Sequence, residues 1–206
     1  HAAGEEASRI AVSTLKTLLS PERLTTALES GEEAVYGLLT ESLLETNQAV
    51  LASAMAHDGW AGMGSTAVIV VRAGMKLYVA NAGDSRAYLV RDEVPIILTR
   101  DHSVAAVLVE KGQLTPQEGR GHPLRNQLTS VLGTTKALTT DVNTAELQSG
   151  DRVLLCSDGL WDMVPDEEIA RLVSASPESA SAIRVLIEAA NAAGGLDNIT
   201  VIAVQA

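Results

Sequence analysis

The order of apolar patterns along the chain predicts an α+β fold built in layers, with largely antiparallel sheets. Three observations carry this. Apolar residues recur at helical spacing through the first quarter of the sequence. Between residues 65 and 98 they give way to β-branched runs whose separations are too short for a crossover helix, the mark of hairpins rather than βαβ units. Two more helical stretches and one last strand follow, so the order is helices, strands, helices, strand.

Residues 4–19 read as a helix, with Glu5 and Glu6 in the first turn where they favour the helix dipole, and with Ile10, Leu15, Leu18 and Leu19 as its apolar face. Ser20-Pro21 is expected to end it. Ser30-Gly31-Glu32-Glu33 has the form of a capping box and opens a helix to about residue 56. Its repeating residues are Val35, Leu38, Leu39, Ser42, Leu43, Thr46 and Val50. Strands are expected at 66–72, 76–82, 85–91 and 95–98, with turns at Ala73-Gly74, Gly83-Asp84 and Asp92-Glu93. Residues 100–135 change character: a short helix at 104–111, then Gly112, Pro116, Gly119, Gly121 and Pro123, with Arg120 and Arg125 close by. That composition predicts an irregular insertion rather than a separate domain. Strands resume near 138–147 and 151–156, helices follow near 165–174 and 177–193, and a strand at 198–205 closes the chain.

At 206 residues the chain reads as one domain with room for a large core. With no Phe, two Trp and three Tyr, that core must be mainly aliphatic. A formal charge of −11, from 26 acidic and 15 basic residues, argues against nonspecific binding to nucleic acid or to anionic membrane. The lone Cys156 rules out a disulfide within the chain and a Cys-based zinc cluster, and suits the reducing cytoplasm, the expected compartment. No apolar run reaches the roughly 18 residues of a membrane span.

The chemistry concentrates where apolar runs stop. Val153-Leu154-Leu155-Cys156 runs into Ser157-Asp158-Gly159, with Asp162 four residues beyond Asp158. Asp84 follows the run ending in Asn81-Ala82-Gly83, and Asp197 stands before the β-branched run from Asn198. Carboxylates gathered at strand ends repel one another unless cations neutralise them. Mg²⁺ and Mn²⁺ suit oxygen ligands and retained waters. Zinc is disfavoured, because His1, His57, His102 and His122 show no ligand spacing. Cys156 lacks the nearby arginine that a cysteine phosphatase needs, and no Gly-x-Ser-x-Gly elbow occurs. Gly62-Met63-Gly64-Ser65 lacks the lysine of a P-loop. Arg86, Arg120, His122 and Arg125 are candidates to touch a phosphate, or alternatively partners of nearby acids; no substrate-binding residue is assigned.

The motifs Gly62-Met63-Gly64-Ser65-Thr66, Asn81-Ala82-Gly83-Asp84-Ser85-Arg86, Thr99-Arg100-Asp101-His102-Ser103, Cys156-Ser157-Asp158-Gly159-Leu160-Trp161-Asp162 and Gly195-Leu196-Asp197-Asn198-Ile199-Thr200-Val201 occur together and in order. In this the chain resembles the bacterial branch of the type 2C metal-dependent protein serine/threonine phosphatases. The resemblance implies a four-layer αββα sandwich of two antiparallel sheets flanked by helices. It implies a dinuclear Mn²⁺ or Mg²⁺ centre and direct attack of metal-bound water on phosphoserine or phosphothreonine. By motif, Asp158 and Asp197 correspond to ligands of the core metals, and Asp84, with Asp158 and Asp162, to a third, weaker site. Residues 100–130 correspond to a flap beside the active site, and the partners to expect are phosphoproteins of a bacterial Ser/Thr kinase.

The family's upstream Asp-Gly-Met-Gly-Gly segment, with its bridging carboxylate, has no counterpart before the helix near His1. The chain is therefore expected to be N-terminally truncated, to lack the family's N-terminal strands, and to have an incomplete metal centre and weak or absent activity. A noncatalytic, phosphatase-like binding module is the competing expectation.

Overall fold

The computed structural model describes residues 3–205; His1 and Ala2, which the sequence reading sets just ahead of the first helix, lie outside the described residues. Three helices come first: α1 (Gly4–Leu18), α2 (Pro21–Ser30) and α3 (Glu32–Ala56). Four strands follow, β1 (Ala67–Ala73), β2 (Lys76–Ala82), β3 (Arg86–Arg91) and β4 (Val94–Ile97). The segment from Leu98 to Thr140 carries α4 (Val104–Glu110) and α5 (Pro116–Gly121). The chain then forms β5 (Asp141–Glu146), β6 (Arg152–Cys156), α6 (Asp158–Trp161), α7 (Asp166–Ala175), α8 (Ser179–Ala192) and β7 (Val201–Gln205).

The strands make two antiparallel sheets, ordered β1-β2-β5 and β4-β3-β6-β7. Strand alternation sorts their side chains into three apolar layers. Tyr78, Ala80 and Ala82 of β2 face the first helices and pack with Val35, Leu39 and Leu43. Leu77 and Val79 of the same strand face the other sheet and meet Ala87, Leu89 and Val153. On the far side Tyr88, Val90, Leu154 and Cys156 pack against Ile169 and Val173 of α7 and Leu186 and Ala190 of α8. Helix, sheet, sheet, helix is the four-layer arrangement the resemblance implies. The predicted inner face of α3, from Val35 to Val50, is buried throughout. Among the described residues no helix is long and apolar enough to cross a membrane.

Four local expectations need correction. Ser20-Pro21 does not only stop α1. It starts α2, with the Ser20 hydroxyl accepting from the Arg23 N–H and Pro21 in the first turn, where its missing N–H costs nothing. Ser30 is not a capping residue: its hydroxyl donates to the Thr26 carbonyl, and Gly31, at φ 104°, makes the bend into α3. Inside the segment read as irregular, Thr115 and Glu118 form a reciprocal capping box that starts α5. Finally, Gly83-Asp84-Ser85 is not a hairpin turn. β2 and β3 are inner strands of different sheets, and these residues carry the chain from one sheet to the other.

Candidate active site

The end of β6 is laced to the residues before β7. The Ser157 N–H donates to the Thr200 carbonyl at 3.1 Å, the Thr200 N–H donates to the Ser157 hydroxyl at 3.0 Å, and that hydroxyl donates to the Asn198 carbonyl at 3.1 Å. Gly159 permits the approach, because a Cβ there would overlap the Asn198 carbonyl. Asp158 and Asp197, distant in sequence, thereby become neighbours. Burial raises the Asp158 carboxyl above the ordinary carboxylate range, and the charges of Asp197 and Asp162 raise it further. Asp197 is exposed and accepts from the Asn198 N–H at 2.7 Å.

Asp84 reaches the same region from the crossover between the sheets. Gly83 takes φ 108°, and a Cβ on it would overlap the Thr66 side chain. The Trp161 indole N–H, one helical turn beyond Asp158, donates to the Asp84 carbonyl at 2.9 Å. Asp84 is only 4% exposed. Burial first, then the charges of Asp158 and Asp101, push its carboxyl up to about 7. Asp84 therefore feels Asp158, and Asp158 feels Asp197.

Partnering divides the aspartates. Asp101 pairs with Arg86, Asp141 with Arg100 and His102, Asp151 with Arg91, Asp162 with Arg125, and Asp166 with Arg86 and Arg120. Among the described residues no basic side chain pairs with Asp84, Asp158 or Asp197. Asp58, just after α3, and Asp92, in the β3–β4 turn, are also unpaired and are exposed, as Asp197 is. A buried carboxylate with no cation is costly unless it is protonated or binds one. Oxygen donors of this kind suit a hard divalent cation. No three His, Cys, Asp or Glu side chains among the described residues draw close enough to enclose an ion. Mg²⁺ and Mn²⁺, which accept carboxylate oxygens together with water, are the cations this donor chemistry suits.

Asp162 stands apart from the other three. Its carboxylate takes two hydrogen bonds from Arg125, at 2.8 and 2.9 Å, which tie the segment after α5 to the end of α6. The arginines read as possible phosphate contacts prove to be partners of acids. Arg86 is buried, donates twice to Asp101 at 2.9 and 2.6 Å, and stacks on Trp161 with 3.8 Å between the guanidinium carbon and the ring centroid. Arg120 pairs with Asp166. The His122 Nδ1 accepts from the Leu124 N–H. Between α4, α5 and β3 these pairs line a cavity of about 350 Å³ with Trp161 in its wall. The sequence reading missed the tie between Trp161 and Asp84; an indole set one turn after an Asp-Gly was the available signal.

A two-sheet αββα sandwich with unpartnered carboxyls at its strand ends offers oxygen donors of the kind that divalent cations take. Comparison with known proteins identifies it further. The family description protein phosphatase 2C matches residues 1–199. The serine/threonine phosphatase stp of Listeria innocua is 35% identical over 205 residues, covering 100% of this chain and 80% of that protein. The crystal structure of serine/threonine phosphatase Stp1 from Staphylococcus aureus superposes with a TM-score of 0.90 at 33% identity, over 98% of this chain and 78% of that one. A catalytic domain of the serine/threonine protein phosphatase PstP, in complex with 2 manganese ions, superposes with a TM-score of 0.80 at 33% identity, over 98% and 80%. The chain belongs to the protein phosphatase 2C family of metal-dependent serine/threonine phosphatases. Its reaction class is the hydrolysis of phosphoserine and phosphothreonine in proteins.

Proposed function

We propose that Asp158 and Asp197 hold Mn²⁺ or Mg²⁺ for this hydrolysis, and that Asp84, with Asp158, holds a further and weaker cation at whose margin Asp162 lies. One observation supports this above the others: among the described residues Asp84 and Asp158 are the aspartates that are not exposed and have no basic partner, and Asp197 stands beside Asp158. When bound, such cations neutralise the phosphoryl oxygens and lower the pKa of a water poised to attack phosphorus. The chain's own contribution is placement. Ser157 and Gly159 hold Asp197 against Asp158. Trp161 holds the Asp84 backbone, and Arg86 braces Trp161 from its other face. Arg125 keeps Asp162 occupied, which leaves Asp158 and Asp84 as the acids available to the weaker cation.

The substrates we infer are proteins phosphorylated by a bacterial Ser/Thr kinase, a reading supported by the bacterial phosphatases to which the chain is similar. The compartment we infer is the cytoplasm, where such a kinase would act and where the unpaired Cys156 stays reduced. Mn²⁺ titration by calorimetry, together with Mn²⁺-dependent hydrolysis of p-nitrophenyl phosphate, tests the assignment. Asp158→Asn should weaken the tighter binding event and lower whatever hydrolysis the unaltered chain shows. Mn²⁺ affinity and activity in Asp158→Asn equal to those of the unaltered chain contradict it.

A further inference from the structure

His102 is fully buried and touches three parts of the fold. Its Nδ1 lies 3.1 Å from the Gly83 N–H, and its Nε2 lies 2.9 Å from the Asp141 carboxylate at the start of β5. Its own N–H donates to the Gly83 carbonyl at 3.0 Å, and its carbonyl accepts from the Thr129 N–H at 2.8 Å. These contacts determine the tautomer. A backbone N–H can only donate, so Nδ1 carries no proton; the ring proton sits on Nε2 and is donated to Asp141.

His102 thus grips the Gly83 peptide at both ends, through its ring on one side and its main chain on the other. The Asn81 amide adds a donor to the Gly83 carbonyl at 3.3 Å, and Trp161 holds the next carbonyl, that of Asp84. Gly83 has the wide conformational range of any glycine and sits at positive φ. Unheld, it would let the following carboxyl swing.

We propose that His102, oriented by Asp141, is a positioning residue for Asp84: it locks the Gly83–Asp84 crossover so that the Asp84 carboxyl faces the cation it shares with Asp158. The proposal rests on the reading of Asp84 as a cation ligand. Groups that orient a metal's ligands commonly change affinity about 10- to 100-fold when removed. A histidine that merely fills the core would change stability and leave affinity alone.

Two substitutions separate these roles, because an Asn side chain places an acceptor where Nδ1 stands, whereas Gln places a donor near Asp141 and leaves Gly83 without an acceptor. Calorimetric Mn²⁺ titrations of the unaltered chain, His102→Asn, His102→Gln and Asp84→Asn should be read beside thermal midpoints in chelator. His102→Gln should weaken the weaker Mn²⁺ event about 10- to 100-fold, while His102→Asn keeps most of the affinity. Nitrogen-15 spectra of the metal-free, unaltered protein should show His102 as the neutral Nε2–H tautomer.

Equal affinity loss in both His102 variants that simply follows their loss of stability overturns the proposal. So does an Nδ1–H or doubly protonated ring, which stands as a test even if a variant fails to fold. If Asp84→Asn weakens Mn²⁺ binding and His102→Gln does not, only the positioning role falls. If Asp84→Asn changes nothing, the ligand reading falls and the positioning role with it.

Discussion

Removing the charge from Asp84 should stabilise the metal-free protein, and the gain should grow with pH. In the folded chain burial, followed by the charges of Asp158 and Asp101, lifts this carboxyl from 3.8 to about 7. At about 1.4 kcal/mol per pH unit, the lift corresponds to about 4 kcal/mol of penalty on the ionised form. The direction follows from proton linkage. Between the two values the folded state holds a proton that the unfolded state has released, so stability is greatest below the unfolded value and falls as pH rises through the folded one. Asp84→Asn removes that slope. In chelator, the stability difference between Asp84→Asn and the unaltered chain should move by about 3 kcal/mol in the variant's favour from about pH 5 to about pH 8. Urea unfolding at a series of pH values measures it directly. Saturating Mn²⁺ should shrink or reverse the difference, because the weaker cation then stabilises the unaltered chain and not the variant, while the tighter one stabilises both. A pH-independent difference in chelator, or a variant that loses stability as pH rises, would refute the account of Asp84 as a buried carboxyl awaiting a cation.

Other expectations follow from the same geometry. Gly159→Ala should drive the Asn198 carbonyl away and displace Asp197 from Asp158, so Mn²⁺ affinity should fall in calorimetry while α7 and α8 keep their helical signal. Arg125→Met should free the segment around α5, seen as faster amide hydrogen exchange from residue 116 to residue 128. Its effect on global stability should stay within about 1 kcal/mol, because the pair is partly exposed. The Cys156 thiol, pushed up to about 12 by burial above all, should react with Ellman's reagent only as fast as the chain opens. Rapid labelling under native conditions would show that the layer between the second sheet and α7 is not closed.

Much of the architecture was legible because it rests on periodicity. The seven-residue face of α3 and the bounds of β2 follow from where apolar side chains recur, and burial rewards that recurrence directly. Where the reading slipped, one local signal served two structures. Ser20-Pro21 both ends a helix and begins one. Gly83-Asp84 has the composition of a hairpin turn, yet joins two sheets, since local preference does not say which strand lies alongside. The acidic strand ends stood out in sequence because an aspartate after an apolar run is conspicuous. The pairings that neutralise the other acids did not: Arg125 lies 37 residues from Asp162, and Asp141 lies 39 from His102.

The linear order of residues was sufficient for most of the secondary elements, the aliphatic character of the core and the conspicuous acids Asp84, Asp158 and Asp197 at the ends of apolar runs, all of which depend on residue type and near neighbours. Only the folded chain could decide which acids are neutralised by arginine and which stay unpaired, and that His102 grips Gly83. Those outcomes depend on contacts between segments far apart in sequence, and such contacts exist only after the two sheets have packed.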